Sequence, residues 1–185
     1  MMYRCYKRGA MALVMAMSLS GCPSDPPPDP GCWTEPAPDG PLGEVELGLG
    51  GGTFTRVAER DPIELQTGTQ GLHHFILRSR TRGMLAGEDG STATMFGAFD
   101  EDGQKIDILE CPYQLPYEPS PDVDDFLLLR EDIFLIIDEA YVPSIDGRSL
   151  LFRVEVIDAD GRYARDERTL IAEYTPPADV DAGAE

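Results

Sequence analysis

Polar and apolar residues alternate with period two through most of the chain beyond residue 42. In Glu44-Val45-Glu46-Leu47-Gly48-Leu49 the apolar side chains recur at every second position, the pattern of a strand with one face on a core and the other in water. The same alternation predicts short strands at Thr53–Val57 and Pro62–Gln66, set apart by Gly50-Gly51-Gly52 and Arg60-Asp61, and a longer one at Leu72–Arg80. Met95–Phe99 and Lys105–Leu109 flank Asp100-Glu101-Asp102-Gly103, a hairpin turn in which the glycine supplies a positive φ. Phe126–Ile137, Leu150–Ile157 and Tyr163–Tyr174 complete the set, with Asp158-Ala159-Asp160-Gly161 as a second turn of the same kind. Strands of this number, separated by Gly, Asp and Pro turns, predict an all-β fold: an immunoglobulin-like β-sandwich of about seven to nine antiparallel strands.

Helix competes in one place. Phe126-Leu127-Leu128-Leu129 is leucine-rich, but Ile133 to Ile137 is an unbroken apolar run holding three isoleucines, which suits a buried strand better than a helix. No long amphipathic helix and no repeat at a solenoid period is present.

The first 22 residues follow a different pattern. Arg4, Lys7 and Arg8 precede an apolar run from Gly9 to Leu19, and Leu19-Ser20-Gly21-Cys22 follows it. About 20 apolar residues are needed to span a bilayer, and this run is roughly half that. Its length is that of a signal peptide. Leu19-Ser20-Gly21-Cys22 resembles the lipobox of bacterial lipoproteins. The resemblance implies removal of residues 1–21, acylation of Cys22, and attachment to a lipid bilayer. Three acyl chains, at about 0.8 kcal/mol per buried methylene, would make that attachment effectively permanent. Pro23 stands where an inner-membrane retention signal carries Asp, so the resemblance points to the outer membrane.

Residues 22–41 hold too many prolines to fold compactly and predict a semi-rigid, extended tether. At about 3.1 Å per residue it could hold the domain roughly 60 Å from the bilayer. Residues 176–185 form a Pro, Ala and Asp tail, which leaves 42–175 as one domain with a single core. The leader takes three of the 15 basic residues and none of the 34 acidic ones, so 12 face 34 in the mature chain, a net charge of −22. Such a surface repels nucleic acid, whose phosphates require Lys and Arg to displace counterions. Divalent cations and basic proteins are compatible with it.

Of four cysteines, Cys5 lies in the leader and Cys22 is the acylation site, which leaves Cys32 and Cys111. In an oxidising compartment these two form either a disulfide or two separate thiols. A bridge would close a loop of about 80 residues, worth roughly 4 to 5 kcal/mol in the chain-entropy account. Trp33 follows Cys32 directly, so the bridge would bring an aromatic ring against the domain.

Candidate chemistry is sparse, and no cofactor is implied. His73 and His74 are the only histidines, and neighbours on a strand point to opposite faces, so one ion cannot readily take both. No zinc spacing accompanies them. The acidic turns opened by Asp100 and Asp158 place glycine fourth, not sixth as in an EF-hand loop. The crowded carboxylates Asp122, Asp124 and Asp125 are the better candidates for Ca²⁺. No Gly-x-Ser-x-Gly is present, and Gly48 to Gly52 lacks the Lys-Ser/Thr ending of a phosphate loop.

Glu46-Leu47-Gly48, Phe54, Ile63-Glu64-Leu65, Gly68-Thr69-Gln70-Gly71-Leu72-His73-His74 and Arg80-Thr81-Arg82-Gly83 together are similar to uncharacterised lipoproteins of myxobacteria. Their central motif runs approximately Gly-x-Gln-Gly-Gly-x-His. Gln70, Gly71 and His74 match it, and Leu72 replaces its second glycine. The resemblance implies an envelope location and a β-sandwich, and it carries no activity. The expectation is a non-enzymatic, membrane-anchored envelope lipoprotein with a structural or protein-binding role. A calcium-assisted adhesion or carbohydrate-binding module is the alternative, and a hydrolase centred on His74 is the third reading.

Overall fold

The computed structural model describes residues 42–87 and 92–175. The leader (1–21), the acylation site Cys22, the tether (22–41) with Cys32, and the tail (176–185) lie outside the described residues.

The described chain is all-β, with a single 3-10 turn at Val142–Ser144. Its strands are β1 (Glu44–Leu49), β2 (Thr55–Arg56), β3 (Pro62–Glu64), β4 (Gln66–Thr67), β5 (His73–Arg82), β6 (Ala93–Phe99), β7 (Tyr117–Pro119), β8 (Leu127–Leu129), β9 (Ile133–Ile136), β10 (Ser149–Ile157) and β11 (Tyr163–Glu173). No described helix is long and apolar enough to cross a membrane.

Two sheets form. In the seven-stranded sheet, β5 is the axis: β1 and β4 pair along one edge of it, and β8 and β9 along the other, with β2 and β7 outermost. The four-stranded sheet has the order β3-β11-β10-β6. Its pairings are antiparallel except that β3 lies parallel to β11, a departure from the expected all-antiparallel arrangement.

The sheets meet face to face, as alternation requires. Along β10, Leu150, Phe152, Val154 and Val156 are buried while their neighbours are half-exposed. Phe152 meets Phe75 of β5 edge-on, with ring centroids 5.0 Å apart. Each buried aromatic of this kind removes roughly 150–250 Å² from water. The interior also holds a polar knot. The buried Tyr117 hydroxyl lies 2.8 Å from Ser79 Oγ on β5 and 3.0 Å from Thr94 Oγ1 on β6, which ties the two sheets together.

The sandwich is laced along both flanks. On one, Gly43 N–H donates to Tyr163 O and Leu65 N–H to Glu173 O, so both ends of the 42–65 stretch lie beside β11. On the other, residues 105–113 run between β6 and β9: Ile106 N–H donates to Ala98 O, and Ile108 N–H to Ile136 O.

Three expected strands are differently built. Pro62–Gln66 divides at the buried Leu65 into β3, which pairs with β11, and β4, which pairs with β5 in the other sheet. Phe126–Ile137 divides into β8 and β9 because Arg78 intrudes between them: Nε donates to Leu129 O at 2.8 Å and Nη2 to Arg130 O at 2.9 Å. Lys105–Leu109 makes only isolated bridges, to Phe99 and Ile137. The buried Asp107 carboxylate replaces a regular ladder there by accepting from Ala98 N–H and Leu109 N–H.

A candidate binding surface on the outer face of the seven-stranded sheet

Inward-facing residues of β5 are Phe75, Leu77, Ser79 and Thr81, all buried. His74, Ile76, Arg78, Arg80 and Arg82 therefore line its outer face. Register sets their neighbours: Ile76 lies opposite Phe134, and His74 opposite Ile136, on β9. The apolar run at Ile133–Ile137 thus holds a strand, as expected, but its outward side chains are not buried. Phe134 is 52 % exposed, and Ile108 on the next stretch of chain is 53 % exposed. With Leu109, Tyr113 and Ile136 they wall a shallow groove of about 360 Å³ that reaches Glu110 and Cys111. Burial and the charge of Asp107 hold the Tyr113 hydroxyl above its ordinary pKa.

The motif residues lead into and open β5, and His74 is the one that meets this surface. Gly68 to Leu72 is the turn joining β4 to β5, with Gly68 N–H donating to Leu72 O and Gly71 N–H to Gly68 O. Gly71 adopts φ +82°, a region in which a side chain is strained. Gln70 and Leu72 are exposed, so no close backbone approach requires a second glycine at position 72. His74 packs edge-on against Phe134, centroids 5.0 Å apart.

Polar chemistry falls to the other histidine. His73 Nδ1 lies 3.0 Å from both Glu139 carboxylate oxygens, and Nε2 lies 2.9 Å from the Tyr174 hydroxyl. The His73 hydrogen bond holds the Glu139 carboxyl below the usual range. These contacts pin Tyr174, just past β11, to the start of β5. The hydrolase reading centres on His74, whereas the ring at 74 meets an aromatic and the carboxylate partner belongs to His73.

The acidic candidates stand apart from both. Asp122, Asp124 and Asp125 are exposed in the loop before β8, and among the described residues no three His, Cys, Asp or Glu side chains are grouped to hold a metal ion. In the Asp100 turn, Oδ1 accepts from Asp102 N–H and Gln104 N–H. In the Asp158 turn, Oδ1 accepts from Asp160 N–H and Arg162 N–H. Those oxygens close turns.

The sequence signal for the groove is the loss of alternation in Ile133–Ile137, which taken alone predicts burial on both faces. Nothing local marks Ile108 as its neighbour, because that contact is made across sheet pairings. No protein-family model, curated protein or solved structure matches this chain.

Proposed function

We propose that this chain is a lipid-anchored envelope protein whose immunoglobulin-like β-domain binds a protein partner through the Ile108–Phe134 surface. The observation that carries this reading is that two large apolar side chains, each more than half exposed, adjoin in one groove. Contiguous apolar surface of this kind, rimmed by polar groups, marks interaction sites. Glu110 lines the groove, and the whole chain carries −19. The partner that fits is a protein segment with an apolar centre and a basic rim. A second copy of this chain would meet its own negative charge.

Lipid attachment at Cys22 and placement in the outer membrane are parts of the same proposal, supported by the lipobox resemblance. So is a bridge from Cys32 to Cys111, supported by Cys111 being a disulfide-bonded cysteine.

Mass spectrometry of the protein from a diderm host is expected to find residue 22 as an acylated N-terminus, with Cys22→Ser released into the soluble fraction. A bare sulfur with the leader attached overturns the anchor. A partner isolated by cross-linking in envelopes is expected to lose affinity at least tenfold for Phe134→Asp, about 1.4 kcal/mol. Unchanged affinity overturns the binding surface.

A further inference from the structure

At the Ile108–Phe134 surface the backbone is uncovered as well as the side chains. Ile137 N–H donates to His73 O, and Leu135 and Ile133 lie opposite Phe75 and Leu77. Peptide groups along a strand point alternately to its two edges, so Ile133, Leu135 and Ile137 turn theirs toward β5. Phe134 and Ile136 turn theirs to the other edge, where Ile136 O accepts from Ile108 N–H. A ladder continued from that bond would next pair Phe134 with Glu110. It stops instead. Among the described residues, nothing bonds to Phe134 N–H, Phe134 O or Ile136 N–H.

Side chains of the 105–110 stretch hold it off this edge. Asp107 Oδ1 accepts from Leu109 N–H at 2.9 Å, and Lys105 Nζ donates to Leu109 O. A carboxylate bonded to the N–H two residues on closes a turn, and the chain bends away before Glu110 reaches Phe134. A bare edge is a template for another chain, which proteins ordinarily blunt with Lys, Pro or a bulge. Phe134-Leu135-Ile136 carries no Lys or Pro, and Phe134 is the exposed member.

We propose that the partner segment adds to this edge as an extended strand. Its backbone pairs with Phe134 and Ile136, and every second side chain lies against Phe134 and Ile108. This rests on the reading that the surface binds a protein, and it specifies the form of what binds. A helix bonds its own peptide groups internally, so a helix laid on Phe134 would shut the edge from water without pairing it. A strand does both.

Charge selects the sequence of that strand. Glu110 lines the groove, and exposed Glu131 and Asp138 stand just before and just after β9. Lys105, the one cation of the 105–113 stretch, is already paired with Asp107 at 3.1 Å. The segment that fits has apolar residues at alternate positions and Lys or Arg at its ends.

Hydrogen exchange on the full oxidised chain in detergent tests the edge itself. Phe134 and Ile136 N–H are expected to exchange about tenfold or more faster than Leu135 N–H. Equal protection at all three overturns the proposal. Protection independent of protein concentration would mean that the chain covers its own edge, and protection that grows with concentration that a second copy does. Random linear peptides of about ten residues, the upper length of an ordinary strand, are displayed on phage and selected on the same protein. Those that lose binding to Phe134→Asp are expected to show the alternating pattern with basic ends and to protect the Phe134 and Ile136 amides. Should Phe134→Asp fail to fold, Ile108→Asp is read the same way. N-methylation of a synthetic copy is expected to weaken binding about tenfold or more at every second nitrogen and little between them. Apolar residues at helical spacing, indifference to N-methylation, or no peptide that depends on Phe134 each overturns strand addition. Indifference to N-methylation leaves the surface in place, whereas unchanged affinity of the cross-linked partner for Phe134→Asp removes the surface and this inference with it.

Discussion

The two ends of β5 present the same outer face and cover it in opposite ways. Toward its C-terminal end, Arg78, Arg80 and Arg82 form a ladder that the domain satisfies by itself. Arg80 stacks on Phe54 and Phe126, at 4.6 and 4.7 Å, and donates to Glu46 at 2.7 Å. Arg82 pairs with Glu44, and Arg78 reaches three backbone carbonyls as well as Asp132 at 3.6 Å. Toward its N-terminal end, His74 and Ile76 lie beside Ile136 and Phe134, and Phe134 keeps half its surface in water. An outer face of a sheet can be finished by guanidinium, carboxylate and aromatic groups from its own chain. Where it is finished with isoleucine and phenylalanine, burial has to come from elsewhere.

Substitutions at the two ends should therefore differ in kind. Arg78→Met leaves three carbonyls and a carboxylate without their cation, and chemical denaturation is expected to show a loss of about 3 to 5 kcal/mol. Tyr117→Phe acts on the core beneath both ends. It strands the Ser79 and Thr94 hydroxyls, a cost of about 1 to 3 kcal/mol, and leaves the contrast between the ends intact. Burial pushes the Tyr117 hydroxyl up to about 12, against the hydrogen bonds from Ser79 and Thr94 that lower it. Its folded pKa is raised, so the stability it contributes is complete below the ordinary value of 10 and is lost as pH rises through about 12. Wild-type protein is expected to lose stability across that alkaline window, and Tyr117→Phe to lose less of its own.

Arg80→Met removes two ring contacts and one partly buried ion pair, for about 1 to 2 kcal/mol by thermal denaturation. Phe134→Ser, at the other end, is expected to change stability by less than about 0.5 kcal/mol. A loss at Phe134 as large as that at Arg80 would mean the apolar end is structural, and the contrast would fail.

How much of this is visible in the chain depends on the range of the interaction. Strands with strict alternation, such as β1 and β10, are legible because their period is local. Both Asp-x-x-Gly turns are legible for the same reason. The break between β8 and β9 is not, since a side chain from β5, some fifty positions earlier, makes it. Lys105–Leu109 alternates convincingly but pairs through the Asp107 carboxylate, which no period records. Alternation separates the two histidines onto opposite faces, yet only the fold assigns the polar partners to His73 and the aromatic one to His74. The Arg ladder escapes the sequence reading altogether. Its signal is present in Arg78-Ser79-Arg80-Thr81-Arg82, three cations on one face of a strand in an acidic chain.

The most direct test places a photoreactive phenylalanine analogue at position 134 and, separately, at position 82, on opposite ends of the same face, and irradiates intact envelopes. A discrete protein adduct at 134 with none at 82 is the expected result. Identical patterns at the two positions, or no adduct at 134, would contradict the account.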